Sequence, residues 1–579
     1  MKNYLKKGYT ILKTSGIKGL EEKFKKRFEE NGMSYQEWYL KNKISEQELE
    51  GQKQYNFNYR PLISVVVPTY NTPLNFLEEM IASLQKQSYT NWELCIGDGS
   101  QGNLELEQYL KQVATSDARI KYKILDRNMG IAGNTNGALE LATGDYVALL
   151  DHDDFLAPQA LFRVVELLQG TDKIDVFYTD EDFVSGDGKT HIFPILKPDY
   201  SEELLCSHNY ITHFFVAKRA LFLEAGGFCS ELDGSQDYDI IFKCVERANV
   251  VKHIPEVLYH WRMHAASVAG DPDSKTYAYT AGKRAIENHM MRSNIEADVE
   301  YIEGLHGMYH SVYKVKNTPL VSVIICQKHN DIDIIENIKQ LIDVNNYENI
   351  EIILVSNQSY EDMFLKNNNV KCIKYDNQFN YAKLNNIAAK QSKGDYLLFL
   401  NDSLVPTKGQ EIEEMLGICQ KEEVVGVGGK ALHYDDTVRH AGIVLGTRRP
   451  IEYAFSGIGN MDDGYLQRPR INCNYSAVSG LCMLVKKEVF IENNGFDEKI
   501  DDGISDVELC NRIRGEGKRI VYAASAQWKM CMDRKKAYKI KKNVSAESKN
   551  FLNAISKMND PYYNKNFSRK VKAFSVLFK

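Results

Sequence analysis

The sequence predicts an α/β protein made of two copies of one domain. Three observations carry that prediction: a length beyond one core, a repeat of domain size, and strand–helix alternation within each copy. The chain has 579 residues, whereas single hydrophobic cores stop growing at about 250–300. Pro61-Leu62-Ile63-Ser64-Val65-Val66-Val67 returns as Pro319-Leu320-Val321-Ser322-Val323-Ile324-Ile325. Gly144-Asp145-Tyr146 returns as Gly394-Asp395-Tyr396, and Gly227-Phe228 before Asp237 returns as Gly495-Phe496 before Asp506; Trp261 pairs with Trp528. The order is kept at offsets of roughly 250–270 residues, a tandem duplication and not a solenoid, whose periods run about 20–50.

Within the first copy the elements follow in order. Ile63–Val67 is an unbroken apolar run, the pattern of a strand covered on both faces. Leu74–Gln87 places Phe76, Leu77, Met80, Ile81 and Leu84 at helical spacing. Trp92–Ile96 is a second strand, closed by the turn sequence Gly97-Asp98-Gly99-Ser100. A helix and a strand follow, then a helix over about Gly133–Ala142, a stop at Gly144, and the strand Tyr146–Leu150. This alternation predicts a mostly parallel sheet with helices on both faces. Ligands of such sheets bind at the carboxyl ends of strands, so the loops after Val67, Ile96 and Leu150 should share one cleft. The expected domains are a basic helical extension (1–59), the first copy (60–300), a linker (301–318), the second copy (319–535) and a basic tail (536–579).

Composition is that of an ordinary globular protein, with 43% apolar and 26% charged residues and a net charge of −6, which gives no overall pull toward nucleic acid. The eleven cysteines include no CxxC pair, the usage of a reducing compartment. No apolar run reaches the roughly 20 residues that span a bilayer, and no signal-peptide core follows Met1; a cytoplasmic location is the default. Both ends are basic with interleaved apolar residues: Lys2, Lys6, Lys7, Lys13 and Lys18 with Leu5, Ile11 and Leu12, and later Lys535, Lys536, Lys565 and Arg569 before Phe574, Val576 and Leu577. Such segments either lie on an anionic membrane face or pack as solvated helices on the domains.

The strand-end loops deliver the chemistry. The first gives Pro68-Thr69-Tyr70-Asn71, the second Asp98, the third Asp151-His152-Asp153-Asp154. Three carboxylates in four residues repel one another, and a divalent cation, Mn²⁺ or Mg²⁺, would relieve that repulsion. The structural alternative is capping of a helix near Pro158 by Asp153 or Asp154.

Taken in order, Ser64–Asn71, Arg127-Asn128-Met129-Gly130, Asn136-Gly137, Leu150–Asp154 and Gly226-Gly227-Phe228 with Gln236-Asp237 resemble the motif set of family-2 glycosyltransferases with a GT-A fold. The fold thus implied is two tandem GT-A (Rossmann-like, nucleotide-diphospho-sugar transferase) domains with helical N- and C-terminal extensions. The resemblance implies that Asp98 accepts the ring N–H of a pyrimidine base. It further implies that Pro68, Thr69, Asn71, Asn128, Gly130 and Asn136 line the nucleotide pocket. Asp151 would contact ribose and diphosphate, Asp153 the metal, and His264 would close the site on the metal side. Asp237 would be the general base. The family's second-strand motif carries two adjacent acids; here Gly97 replaces one.

The chemistry asks for the same parts. An acceptor hydroxyl that attacks an anomeric carbon must lose its proton to a carboxylate in reach, the role of Asp237. The departing diphosphate gathers charge that a cation, helped by His264 or Arg262, stabilises. One base and one metal suffice for inversion. The structural alternatives are a helix-capping Asp237 and a surface His264. Tyr178-Thr179-Asp180-Glu181-Asp182 and Lys197-Pro198-Asp199 are candidate cleft or acceptor residues. In the second copy Pro68–Asn71 becomes Cys326-Gln327-Lys328-His329-Asn330, Asp98 gives way to Ser356-Asn357-Gln358-Ser359, and the acid cluster becomes Asn401-Asp402-Ser403; Asp506 and Arg439-His440-Ala441-Gly442 remain. The sequence therefore predicts an inverting transferase acting from the first copy. Its donor would be a UDP- or dTDP-sugar and its acceptor a glycan or lipid-linked chain, worked on at the inner membrane face. The second copy would be degenerate. The rivals are a scaffold of two degenerate domains and a bifunctional enzyme using Asp402 and Asp506.

Overall fold

The computed structural model describes residues 34–574 apart from 172, 265–275, 329–331, 361–362, 364–368, 377, 516 and 533–543. The basic run Lys2–Lys18, the pair Lys535 and Lys536, and Val576 and Leu577 lie outside the described residues. The chain divides into two units. One holds the described residues up to Tyr200 together with His208–Tyr309; the other holds Ser201–Ser207 and the residues from His310 on.

The first unit opens with two short helices, α1 (Tyr35–Asn42) and α2 (Glu46–Gln54), each started by a capping box, Ser34 with Glu37 and Ser45 with Glu48. Then come β1 (Ile63–Thr69), α3 (Leu74–Gln85), β2 (Trp92–Asp98), α4 (Leu104–Ser116), β3 (Ile120–Ile124), α5 (Gly130–Leu139), β4 (Tyr146–Leu149), β5 (Phe155–Leu156) and α6 (Ala160–Leu167). They are followed by β6 (Val176–Val184), β7 (His191–Ile195), β8 (Val216–Lys218), α7 (Arg219–Glu224), α8 (Gln236–Val245), β9 (Val251–Arg262) and α9 (Thr276–Arg292). The sheet runs β3-β2-β1-β4-β8-β6-β9-β5, with β7 on β6.

Its first half is the parallel sheet the sequence predicts, β1 lying between β2 and β4. Ile63, Val65, Val66 and Val67 have no exposed surface, because both faces are covered. On α3, Leu77, Met80, Ile81 and Leu84 are buried in the same core. At about 1.5–3 kcal/mol per buried large apolar side chain, this face alone outweighs any helix propensity. Phe76 instead turns to His264 and Arg262, with ring contacts of 5.1 and 4.8 Å. The second half of the sheet is mixed: β8 is antiparallel to both β4 and β6, and β5 to β9. The sequence hides this half because β5 and β8 have two and three residues, and β6 carries Asp180-Glu181-Asp182, three acids in a row that break the apolar pattern of a buried strand.

The second unit repeats the strand order: Val370–Lys374, Ile350–Ser356, Val321–Cys326, Tyr396–Asn401, Cys482–Lys486, Val424–Leu432, Arg519–Met530 and Leu404–Pro406. Register corrects one pairing read from sequence. Leu156 pairs with Tyr259 and Pro406 with Trp528, so Trp528 is the counterpart of Tyr259 and not of Trp261. A two-residue shift keeps a strand side chain on the same face, so aromatic matching alone cannot detect it. Phe574 is buried and stacks on Phe455 at 4.8 Å, which commits this aromatic to the fold and not to a membrane. Ser201–Ser207 supplies the second unit with Glu203, a fully buried carboxylate 3.0 Å from Lys421 Nζ, and with Glu202, 2.7 Å from Arg519.

The duplication also separates scaffold from chemistry. Ser64 donates to Glu93 at 2.6 Å and Ser322 to Glu351 at 2.6 Å. The Tyr89 hydroxyl donates to Pro61 O and that of Tyr347 to Pro319 O. Asn136 spans the backbone N–H and C=O of Phe228 just as Asn386 spans those of Phe496. Bonds present in both copies hold the fold.

Candidate active site

β1 and β2 end side by side, with Thr69 opposite Asp98. Asp98 is wholly buried. Its Oδ1 accepts from Thr69 Oγ1 at 2.8 Å, Ser100 Oγ at 2.6 Å and Ser100 N at 3.2 Å. Its Oδ2 has no hydrogen-bond partner among the described residues. A buried carboxylate oxygen left without a donor is costly, so it is an acceptor with capacity to spare. Asn71 (φ 47) donates its backbone N–H to Ser100 Oγ at 2.6 Å, which closes the turn above it. Gly97, where the family pattern has an acid, is a packing requirement: a Cβ there would lie 2.1 Å from Asn134 O on α5. Pro68, opposite Gly97, completes the β1 rim.

The Asn128 block shapes this rim through its own bonds. Asn128 Oδ1 accepts from Gly130 N at 3.0 Å and Asn134 Nδ2 at 3.1 Å. Gly130 (φ +77) has Asp233 Oδ2 only 2.1 Å from where a Cβ would sit. Asn134, absent from the sequence reading, also donates to Thr69 O at 3.3 Å. Asn136 is spent on Phe228 and does not line the pocket.

The third loop gives its acids three different fates. Asp154 is buried and accepts from the Tyr259 hydroxyl at 2.6 Å and Arg262 N at 2.7 Å, a structural role. Asp153 Oδ2 lies 2.6 Å from His264 Nε2. Burial pushes its carboxyl up, but the His264 hydrogen bond and the neighbouring histidines outweigh that and hold it below the ordinary range. Asp151 has about half of its side chain exposed, 51%, at the cleft. The surrounding protein, then the carboxylates of Asp153 and Asp237, push it up to about 7. Helix α6 has Gln159 at its start and no side-chain cap, so neither Asp153 nor Asp154 caps it. A carboxylate and an imidazole from separate elements, beside a second acid, are a donor set that fits Mn²⁺ or Mg²⁺.

Asp237 lies in the first turn of α8, inside the helix and not before it. Its Oδ2 accepts from Asn209 Nδ2 at 2.8 Å. Burial pushes it up to about 6. Its charge is one of the causes that raise Asp151. His213 lies beside Asp151, its Nε2 3.8 Å from Oδ2, and its ring stacks on Tyr259 at 4.3 Å. Asn209 and His213 carry no motif at the sequence level; only the packing of their loop brings them here.

Arg262 does not reach the diphosphate side. Its guanidinium is fully buried and donates to Asp153 O at 2.7 Å, Gly186 O at 3.0 Å and Glu79 at 2.5 Å, so it braces the loop that carries Asp153. The acids of β6 are also enclosed. Asp180 pairs with His253 at 2.9 Å and Glu181 with Lys197 at 3.2 Å. Asp182 accepts from His191, His260 and Tyr35 at 2.7, 2.6 and 2.7 Å. Both imidazoles and the Tyr35 hydroxyl are thus committed to one enclosed carboxylate. The cluster docks α1 through Tyr35.

In the second copy the cleft is filled by the protein's own bonds. Ser356 donates to Gln327 at 2.6 Å where Thr69 meets Asp98. Asn401 accepts from Ser403 Oγ at 2.5 Å, and Asp402 from Lys328 N at 2.8 Å. Asp506 is buried and accepts from Gly480 N at 2.8 Å and Val507 N at 2.9 Å. His440 accepts the N–H groups of Gly442 and Ser479 at 3.2 and 3.1 Å and is enclosed.

Known proteins resemble this chain over most of its length. The chain is 34% identical over 478 residues to the protein y4gI of Sinorhizobium fredii, covering 81% of this chain and 52% of that one. It is 32% identical over 479 residues to the O-antigen biosynthesis protein RfbC of Myxococcus xanthus, covering 81% and 37%. It is 28% identical over 212 residues to the hyaluronan synthase of Pasteurella multocida, covering 36% and 21%. The chain thus spans about half, or less, of the length of these relatives. The model of the family "Glycosyl transferase family 2" matches residues 64–225 and again 322–493. With more than half of its length in those two segments, and the same strand order in both units, this chain belongs to glycosyl transferase family 2 and carries two tandem GT-A-like domains.

Proposed function

We propose that the chain is an inverting, metal-dependent transferase that moves a sugar from a UDP- or dTDP-sugar to a growing cell-surface polysaccharide or lipid-linked glycan, with chemistry in the first copy alone. The observation that carries this reading is the meeting of Asp153 with His264 at 2.6 Å, in the cleft that also holds Asp151 and Asp237. In the second copy Ser403 stands in place of Asp153 and bonds Asn401.

Asp98 Oδ2 accepts the ring N–H of the pyrimidine, which selects against bases without a donor there. Asp153 and His264 would hold a divalent ion, which would supply counter-charge to the departing diphosphate. Asp237 takes the proton of the acceptor hydroxyl as it attacks the anomeric carbon from the face opposite the diphosphate. Asn209 fixes the carboxylate that does so. Asp151 meets the ribose and diphosphate side. The relatives named for O-antigen biosynthesis and for hyaluronan synthesis support a polysaccharide acceptor. Nucleoside-diphosphate sugars point to the cytoplasm, and the basic terminal segments to the inner membrane face. Among the described residues no helix is long and apolar enough to cross a membrane.

The test is release of nucleoside diphosphate from a panel of UDP-, dTDP- and GDP-sugars with Mn²⁺, Mg²⁺ or chelator. Asp153→Ala should lower turnover at least about 100-fold and remove the metal response, while Asp402→Ala should leave both unchanged. Equal turnover by Asp153→Ala and wild type would sink the reading; loss in Asp402→Ala would move chemistry to the second copy.

A further inference from the structure

Glu181 and Lys197 form an enclosed ion pair, Nζ to Oε2 3.2 Å, with side chains 2% and 1% exposed. Attraction alone is a poor reason for such a pair, because the cost of taking each ion out of water can exceed their mutual attraction. Lys197 spends its donors elsewhere as well. Its Nζ donates to Ile211 O at 2.6 Å and to His213 O, so one ammonium grips two carbonyls of the loop 209–214. The His213 N–H in turn bonds the Glu181 carboxylate.

That loop needs holding. Thr212 has φ 39, a left-handed conformation that is strained for a β-branched residue. Asn209 shapes the same turn, its Oδ1 accepting from Thr212 N at 3.2 Å and its O from Thr212 Oγ1 at 2.8 Å. The amide's other end donates to Asp237 at 2.8 Å. At the far end His213 stands 3.8 Å from Asp151. One loop therefore touches both sides of the cleft. In the second copy Ala431 pairs with Trp528 where Glu181 pairs with Tyr259, so the copy with the filled cleft has no such acid.

We propose that Lys197, neutralised by Glu181, is a positioning residue: it holds the loop 209–214 so that Asn209 aims Asp237 at the acceptor hydroxyl and His213 closes over the transferred sugar beside Asp151. The proposal rests on Asp237 being the base. In the full chain, the neutral pair Lys197→Met with Glu181→Gln should keep its circular dichroism and melting temperature. Amide exchange of the peptide 207–216 should rise at least tenfold, with β1 and β2 unchanged. With whichever of UDP-glucose, UDP-galactose or UDP-N-acetylglucosamine the wild type turns over, kcat should fall 10–100-fold and donor KM stay within threefold. Asn209→Ala should give the same split. Wild-type exchange in the loop, wild-type kcat in the folded double variant, or a rise in KM matching the fall in kcat would overturn it. If the double variant does not fold, Asn209→Ala decides, and wild-type kcat there overturns the proposal. Asp237→Asn separates the two readings: retained turnover removes the base assignment, whereas lost turnover beside an active double variant removes only the positioning role.

Discussion

Asp98 divides its two oxygens unequally, one with three protein donors and one with none. A hydrogen bond to a charged group contributes about 1.5–3 kcal/mol, so Asp98→Ala should weaken UDP about 10–100-fold by calorimetry, with little change for ADP. Asp237 shows the opposite economy. Burial holds it at about 6, so the fold binds its proton more tightly than the unfolded chain does. That contribution is whole below about pH 4 and is lost as pH rises through 6. Activity has the reverse sign, because the base must be ionised: kcat/KM should fall about tenfold per pH unit below 6. Asp237→Asn should abolish turnover yet raise stability at pH 7 by about 1–3 kcal/mol in a denaturant titration. A melting curve lower than wild type would show that the carboxylate is a structural cap.

At the scale of elements, the nucleotide rim depends on how closely α5 approaches β2. Gly97→Ala would press a Cβ to 2.1 Å from Asn134 O and 2.7 Å from Ala138 N. Both are backbone atoms, so the helix must move, carrying Asn134 and its bonds to Thr69 and Asn128 with it. The substitution should cost more than about 2 kcal/mol and lower UDP affinity together. Gly51→Ala on α2 meets nothing within 4 Å and should stabilise by about 0.5–1 kcal/mol. Equal effects of the two would refute the packing account. Helix α1 is docked by hydroxyl-to-carboxylate and ring contacts, including Tyr39 stacked on His191 at 3.5 Å.

For the whole molecule, the division into units does not follow the repeat read along the chain. Ser201–Ser207 lies within the first copy in sequence but belongs to the second unit, where Glu203 faces Lys421 and Glu202 faces Arg519. Breaking a buried pair by removing one partner costs about 3–5 kcal/mol. A chain starting at His310 should therefore melt well below the same unit in the intact protein, and Glu203→Gln in the full chain should reproduce part of that loss. Equal melting would show that the segment is dispensable.

The sequence by itself determined the duplication, the parallel half of each sheet and the strand-end acids. These are matters of local pattern: apolar runs, turn residues, and motif order over a domain-sized offset. It also exposed the loss of acids from the strand-end loops of the second copy, which is visible without coordinates. Only the tertiary structure decided what each acid does. Asp151, Asp153 and Asp154 are near neighbours in sequence, yet one faces the cleft, one meets His264 and one is sealed under Tyr259, because direction depends on what packs against the loop. Arg262, read as a diphosphate ligand, braces a backbone; Asp180-Glu181-Asp182, read as cleft acids, are paired inside the sheet; Asn209 and His213 act from a loop with no signature. A strand periodicity tells which residues are covered, but which group covers them is set by chain segments far away in sequence.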